Sequence, residues 1–514
     1  MTTDSIYICR LLRELQRAGS STVLRYNGQD ISGQTFRASI FQFARVLRDL
    51  GIGRGALLGM FAPNRPEALA LRYAAHVLGA ATVYLSVPAT EDQRRILIEQ
   101  IAPDLLVVFP ETTRYLVRTV DFPFATIGVD EAGSIGRLDA LAASESSSPL
   151  LVLAEPDDLA VISSSGGSTG IPKGSCRSFA GYTAIVSAES PNYRIQLING
   201  PLAYLSQVLA DITLLGGGKI VLRAAYKAAD TLATIEAERV TDLFLVEPQL
   251  FELMDDLALG YHDLSSLRSL THIGASAPRS LRLRARARFG PIVGHAYGAS
   301  EMGLVSVLAP IDHEMSLPER FTSAGRVLPG VDVRLRCADG RLANVGEAGI
   351  IEVRSPAMAS GYRNNPGLSS QHFCEGWYVT GDLGRFDENA FLHVLGRAAD
   401  VQDIDGVLVA PTDIEDVLCH LPDVRSAVVV RDLEARLTIA VVISWRGKSV
   451  EISECRRAVA DRFGDTVATS LVVLPADSIP LTEQGKPDRT MIKQMARRLL
   501  AANSLRAVIV ECHG

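Results

Sequence analysis

Twelve residues constrain this chain more than any others. Ser163 to Gly174, SSSGGSTGIPKG, holds four glycines, five hydroxyl side chains, a proline and a lysine directly after the apolar run Leu159-Ala160-Val161-Ile162. That order predicts a strand feeding a loop that turns its backbone N–H groups toward an anion. Glycine permits the turn without Cβ clashes, the hydroxyls add donors, and Lys173 adds charge. A solvated Gly/Ser linker is the alternative, but linkers seldom follow a buried strand or carry an internal Pro-Lys-Gly. The loop is not the common nucleotide loop either. The pattern GxxxxGK[ST] does not occur, and Gly216-Gly217-Gly218-Lys219 lacks both the upstream glycine and the following Ser or Thr.

A chain of 514 residues is too long for one ordinary core, so two or three folding units are expected. Its 47% hydrophobic and 21% charged residues suit a fully folded globular protein. A net charge of −7 gives no basic field for nucleic acid or an acidic membrane surface, so neither is expected as a partner. No run reaches the roughly 18 apolar residues a membrane span needs, and the N-terminal apolar stretch is broken by Arg10, Arg13 and Glu14. A cytoplasmic location is the default expectation. The seven cysteines form no CxxC and are odd in number, which argues against a disulfide framework or a zinc site.

From Thr22 to Val108, helical and extended patterns alternate. Thr35 to Leu50 is helical and closed by Gly51, Arg54 to Phe61 holds a strand, and Glu67 to Leu78 is helical and closed by Gly79. Such alternation predicts an α/β protein with helices on the faces of a sheet. Gly200 to Leu222 reads as a helix, a glycine break and a strand. Downstream, the segment His272 to Pro278 is rich in small residues. As G-x-S-x-P it departs from a hydrolase elbow, which needs a closing Gly, and no His/Asp pair is suggestively placed. Arg279, Arg282, Arg284, Arg286 and Arg288 follow, and a run of this kind reads as one solvated helix face. His313-Glu314 lacks the second His of a zinc-protease helix, Leu317 standing there.

Four further segments carry polar groups in tight turns: His295-Ala296-Tyr297-Gly298-Ala299-Ser300-Glu301, Trp377 to Asp382, Gly396-Arg397-Ala398-Ala399-Asp400, and Ile479 to Arg489 around Lys486. Taken singly, a Thr-Gly-Asp triplet is more often a turn than a site, and an exposed lysine beside glycine is usually just solvated.

Together and in this order they resemble the adenylate-forming superfamily, which includes acyl-CoA synthetases, aryl-acid ligases and nonribosomal adenylation domains. The first loop is similar to TSGSTGxPKG, His295 to Gly303 to YGxTE, Gly396 to Asp400 to GRxxD, Pro411 to Glu415 to PxEIE, and Pro480 to Arg489 to PxTxxGKxxR. The resemblance runs from about Thr22 to Arg489. It implies a large N-terminal domain of layered β-sheets with flanking helices, residues 1–399, and a small mobile α+β C-terminal domain, residues 400–514, hinged at Asp400.

It also implies ATP-dependent activation of a small-molecule carboxylic acid, of whatever chain length, to an acyl-adenylate, then a thioester with CoA. Lys486 would be the catalytic lysine, Glu301 the Mg²⁺ ligand and Ser300 a donor to the α-phosphate. Ser165, Gly167, Ser168, Thr169, Gly170 and Lys173 would hold the phosphates, Gly274 and Ala275 the adenine side, Tyr297 the purine face, Asp382 the ribose hydroxyls, and Arg397 the ribose or phosphate. Three positions depart from type. Gly166 replaces a Ser and removes a donor; Asp403 and Asp405 follow the hinge where CoA-using relatives carry apolar residues and paired glycines; and Ala203-Tyr204-Leu205 stand where amino-acid-activating relatives place an Asp, so an α-amino acid is not expected. The alternatives are a stand-alone ligase loading a carrier-protein phosphopantetheine and, from another class, a degenerate nucleotide-binding sensor or scaffold.

Overall fold

In a computed structural model of the chain, the described residues are 5–85, 91–113, 125–130, 134–165, 173–187, 190–273, 278–313, 318–404, 406–482 and 485–511. The alternating pattern forms two large sheets. In the first, strands Leu57–Phe61, Ala81–Tyr84, Leu105–Val108, Ala125–Gly128 and Leu159–Ser165 run parallel, and Lys173–Ser178 and Gly361–Tyr362 continue one edge antiparallel. The second has a parallel centre running from Thr22–Tyr26 through Lys219–Leu222, Ile195–Ile198, Asp242–Val246 and Ser269–Ile273 to Val293–Ala299, closed at each side by antiparallel strands.

The main core lies between these sheets. Leu58, Met60 and Val107 of one and Leu24, Ile220 and Leu222 of the other pack into a single cluster with the intervening helices. Helix Pro66–Val77 is buried from Ala68 onward, packed against helices Gly33–Asp49 and Tyr7–Ala18 and the strand Ala81–Tyr84, and its mostly apolar sequence suits such enclosure. Helix Gly33–Asp49 is one-sided. Ser32 caps it by accepting from Thr35 N at 3.1 Å, and Gly51 at φ +85° turns the chain away, the stop its sequence predicts.

Residues Asp332–Arg397 add a third, antiparallel sheet. Beyond it, a hairpin of Gln402–Ile404 with Val407–Val409 and a sheet of Val424–Asp432, Leu437–Ser444 and Leu471–Pro475 form a smaller C-terminal part with its own apolar clusters. The fold is thus the α/β arrangement expected, large at the N-terminus and small at the C-terminus. Among the described residues no helix is long and apolar enough to cross a membrane.

One expectation is corrected. The arginine run 279–288 does form a helix, Arg279–Phe289, but not a uniformly solvated face. Arg282 is buried and donates to the Ser323 carbonyl, and Arg284 pairs with Asp255 at 2.5 Å. Alternation of Arg with Leu and Ala at helical spacing turns some of these arginines inward, where a carbonyl and a carboxylate receive them.

Candidate active site

Strand Leu159–Ser165 returns as Lys173–Ser178, with Ser165 paired to Lys173 in the ladder. The glycine-rich stretch therefore connects two paired antiparallel strands. Gly166, Gly167, Ser168, Thr169 and Gly170 lie outside the described residues, as do Gly274, Ala275 and Asp405, and of Ser165 only the backbone is described. Lys173 starts the second strand with its ammonium 5.5 Å from the centre of the Tyr362 ring.

Strand Val293–Ala299 delivers the next segment beside this strand pair. Ser175 Oγ, 3.1 Å from the Ser300 carbonyl, ties the two together. Glu301 is buried, and its carboxylate accepts from Ser300 Oγ at 2.9 Å and from the Tyr362 hydroxyl at 3.3 Å. Among the described residues no group of three or more His, Cys, Asp or Glu could hold a metal. That donor set suits Mg²⁺, which takes one or two carboxylates and draws its remaining ligands from phosphate oxygens and water.

Asp382 comes from the third sheet. Its backbone N–H donates to Thr380 Oγ1 at 2.9 Å, and Oδ2 accepts from the Tyr297 hydroxyl at 2.7 Å. Oδ1 is buried with no hydrogen-bond partner, although Arg397 Nε stands 3.3 Å away outside hydrogen-bonding geometry. Burial pushes the Asp382 carboxyl up, against the pull of Arg397 and Tyr297. An orphaned buried acceptor is a costly feature that a bound hydroxyl would satisfy. The Tyr297 ring is 2% exposed and packs with Met302, Val305 and Tyr378, so the structure gives this tyrosine a part in fixing Asp382. Arg397 faces Asp382 across the paired strands and also donates to the Thr380 carbonyl at 2.6 Å. Burial, the largest single influence, would lower its pKa; Asp382, Tyr378, Tyr297 and Glu301 together outweigh it and raise the pKa.

Lys486 reaches the same place from the C-terminal part. The residue keeps surface accessible to water, but its surroundings are crowded enough with protein to desolvate its ammonium. That crowding, followed by Arg397, lowers its pKa, and the carboxylates of Glu301 and Asp382 oppose the fall. Glu301, Asp382, Arg397 and Lys486, up to 185 positions apart, thus lie within electrostatic reach of one another. The structure also puts the Tyr362 hydroxyl on Glu301, a link between distant segments that no local pattern announces.

The model of a family described as AMP-binding enzyme matches residues 11–363. The chain is 32% identical to a medium/long-chain-fatty-acid–CoA ligase, FadD8, of Mycobacterium tuberculosis, over 94% of this chain and 89% of that one. It is 31% identical to the amide bond synthetase McbA of Marinactinospora thermotolerans, whose structure superposes with a TM-score of 0.84 over 95% of this chain and 99% of that one. An anthranilate CoA ligase, AuaEII, solved in complex with anthranoyl-AMP, superposes with a TM-score of 0.88 over 96% and 98% but is 19% identical, a likeness of fold alone.

Proposed function

The chain belongs to the AMP-binding enzyme family, and we propose that it joins a carboxylic acid to CoA, using ATP and releasing pyrophosphate and AMP. The electrostatic proximity of Glu301, Asp382, Arg397 and Lys486 carries this reading.

A carboxylate is a poor electrophile because its leaving group would be oxide. Attack of its oxygen on the α-phosphorus of ATP forms a P–O bond, breaks the bond to the β-phosphate and expels pyrophosphate, leaving a mixed anhydride with AMP as a good leaving group. Two anions must meet, so the site has to supply positive charge and donors. Lys486 would bridge the incoming carboxylate and the α-phosphate. A unit-charge contact at about 4 Å in a partly screened site is worth on the order of 4 kcal/mol, roughly three decades in rate. Crowding and Arg397 lower the Lys486 pKa, and anions arriving beside it would favour the charged ammonium. Glu301, held by Ser300 and Tyr362, would carry Mg²⁺, which when bound neutralises phosphate charge. Asp382 takes the ribose hydroxyls on its orphaned Oδ1, and Arg397 lies against the ribose or phosphate. The glycine-rich stretch, with Ser165, Gly167, Ser168, Thr169, Gly170 and Lys173, grips the departing pyrophosphate, and Gly274 and Ala275 lie on the adenine side.

In the second step the CoA thiol, losing its proton, attacks the acyl carbon and AMP leaves. The small domain, 400–514, turns about Asp400, which pairs with Arg489 at 2.5 Å, to admit it. A carrier-protein phosphopantetheine is the alternative thiol. An amine is a second acceptor class, favoured by the exposed Asp403 carboxylate just past the hinge, which suits a cation better than the phosphates of CoA, and by the 31% identity with an amide bond synthetase. ATP and CoA are both supplied in the cytoplasm, where we place the enzyme.

ATP–pyrophosphate exchange over fatty, aryl and alicyclic acids tests the first step. Lys486→Ala should lose most exchange, on the order of 10³-fold, while ATP still binds; normal exchange in that variant removes Lys486 from the chemistry. Product analysis with CoA or an amine identifies the acceptor, and no exchange with any acid would revive a nucleotide-binding sensor.

A further inference from the structure

Helix Arg279–Phe289 lacks a cap of its own. Its N-cap residue is Pro278, which has no side-chain acceptor. The free N–H groups of its first turn are instead met by a residue 137 positions away in the C-terminal part: Asp416 accepts from Arg279 N at 3.0 Å on Oδ2, and from Ser280 N and Ser280 Oγ, each at 2.9 Å, on Oδ1. One carboxylate thus takes three hydrogen bonds at a helix N-terminus, where backbone donors and the helix dipole both favour an anion.

Two contacts run parallel to it. Asp255, at the end of helix Glu247–Asp255, receives Arg284 of the N-terminal part and Arg425 of the C-terminal part, each at 2.5 Å. Gly485, at φ +78° beside Lys486, approaches helix Glu247–Asp255 so closely that a Cβ would lie 3.0 Å from Val246 Cγ2 and 3.4 Å from the Gln249 amide nitrogen. The lysine loop and the Asp416 cap therefore dock on neighbouring elements of one surface.

We infer that Asp416 is a positioning residue for acid activation: by capping Arg279–Phe289 it holds the small domain in the orientation that places Lys486 among Glu301, Asp382 and Arg397. This rests on the ligase reading above. The cap exists only while the two parts are docked, so its removal shifts the population away from the activating pose and leaves both catalytic surfaces intact. A side-chain cap governs about a tenfold shift in such an equilibrium. Thioester formation needs the small domain to leave this pose, and it does not draw on Asp416.

The test compares Asp416→Ala with Asp416→Asn, which keeps an acceptor at the cap. ATP–pyrophosphate exchange should fall about tenfold in kcat for the alanine variant with the KM for ATP nearly unchanged, and recover most of its rate in the asparagine variant. Acyl transfer to CoA from presynthesised acyl-adenylate should hold or rise in both. An equal fall of both half-reactions, or unchanged exchange in Asp416→Ala, overturns the inference. Hydrogen–deuterium exchange at Arg279, Ser280 and the 246–249 segment gives a readout independent of chemistry. Asp416→Ala should deprotect both regions together, and protection equal to the wild type's likewise overturns it. A wild-type protein that exchanges pyrophosphate with no acid refutes the ligase reading instead and leaves the deuterium measurement to decide whether Asp416 docks the domain.

Discussion

The orphaned oxygen of Asp382 permits a test that separates ribose recognition from mere structural support. Asp382→Asn keeps the size of the side chain. Because the Tyr297 hydroxyl must still be accepted at 2.7 Å, the amide oxygen should take the Oδ2 place and the NH₂ the place of Oδ1. A ribose hydroxyl that donated to a carboxylate would then meet a neutral donor, and Arg397, 3.3 Å from Oδ1, would lose its anion. Exchanging a charge-assisted hydrogen bond for a neutral one of reversed sense costs about 1–2 kcal/mol, roughly five- to thirtyfold in the KM for ATP. The decisive assay is a cycle: pyrophosphate exchange with ATP and with 2′,3′-dideoxy-ATP, in wild type and variant. If Asp382 binds the hydroxyls, removing them should penalise the wild type by one to two decades and the variant far less, since the partner is already gone. Equal penalties in both proteins would refute ribose recognition and leave Asp382 a support for Tyr297 and Arg397. Alanine would be a poor substitute, since it strands a buried phenol and adds a folding defect.

Two other outcomes follow from buried charge. Asp211 is fully buried, pairs with Arg72 at 2.8 Å, and accepts from the Tyr73 and Tyr182 hydroxyls at 2.5 and 2.6 Å. Asp211→Ala should cost about 3–5 kcal/mol by stranding a cation in the core, and a thermal unfolding midpoint equal to the wild type's would show the pair to be dispensable. Glu247 is pushed up to about 8, by burial first and then by Asp416, with Arg282 and Arg489 opposing; Glu415 faces it from the helix Pro411–Cys419. In the docked state burial beside Asp416 and Glu415 favours the protonated form of Glu247, whereas an exposed glutamate gives up its proton near pH 4.5. Docking therefore takes up a proton and should weaken as pH rises from about 4.5 through 8. Deuterium protection at Arg279 and Ser280, corrected for intrinsic exchange, should decline over that range and flatten in Glu247→Gln. A variant profile that matches the wild type's excludes this carboxyl as the sensor.

The elements legible in the sequence are those set by neighbours along the chain. Gly51 ends the helix that the spacing from Thr35 announces, and the apolar run before Ser163 becomes the expected strand. The polar turns holding Glu301, Asp382, Arg397 and Lys486 could be singled out because tight turns with one carboxylate or cation have a local signature, and the fold does bring those four together. What escaped is pairing at long range. Nothing around Asp416 marks it as the cap of a helix 137 positions earlier, nor does Tyr362 advertise Glu301. The arginine run misleads for the same reason: charge alone does not say that Arg282 finds the Ser323 carbonyl inside the protein.

The ladder pair Ser165–Lys173 fixes the thermodynamics of the loop it closes. Bringing the ends of a free segment together costs entropy that grows with its length, but here the sheet has met that cost before any ligand arrives. The seven residues 166–172 therefore join two ends whose spacing the paired strands set. Lengthening this connection by a few glycines should leave folding almost untouched, since the closure cost grows only with the logarithm of its length.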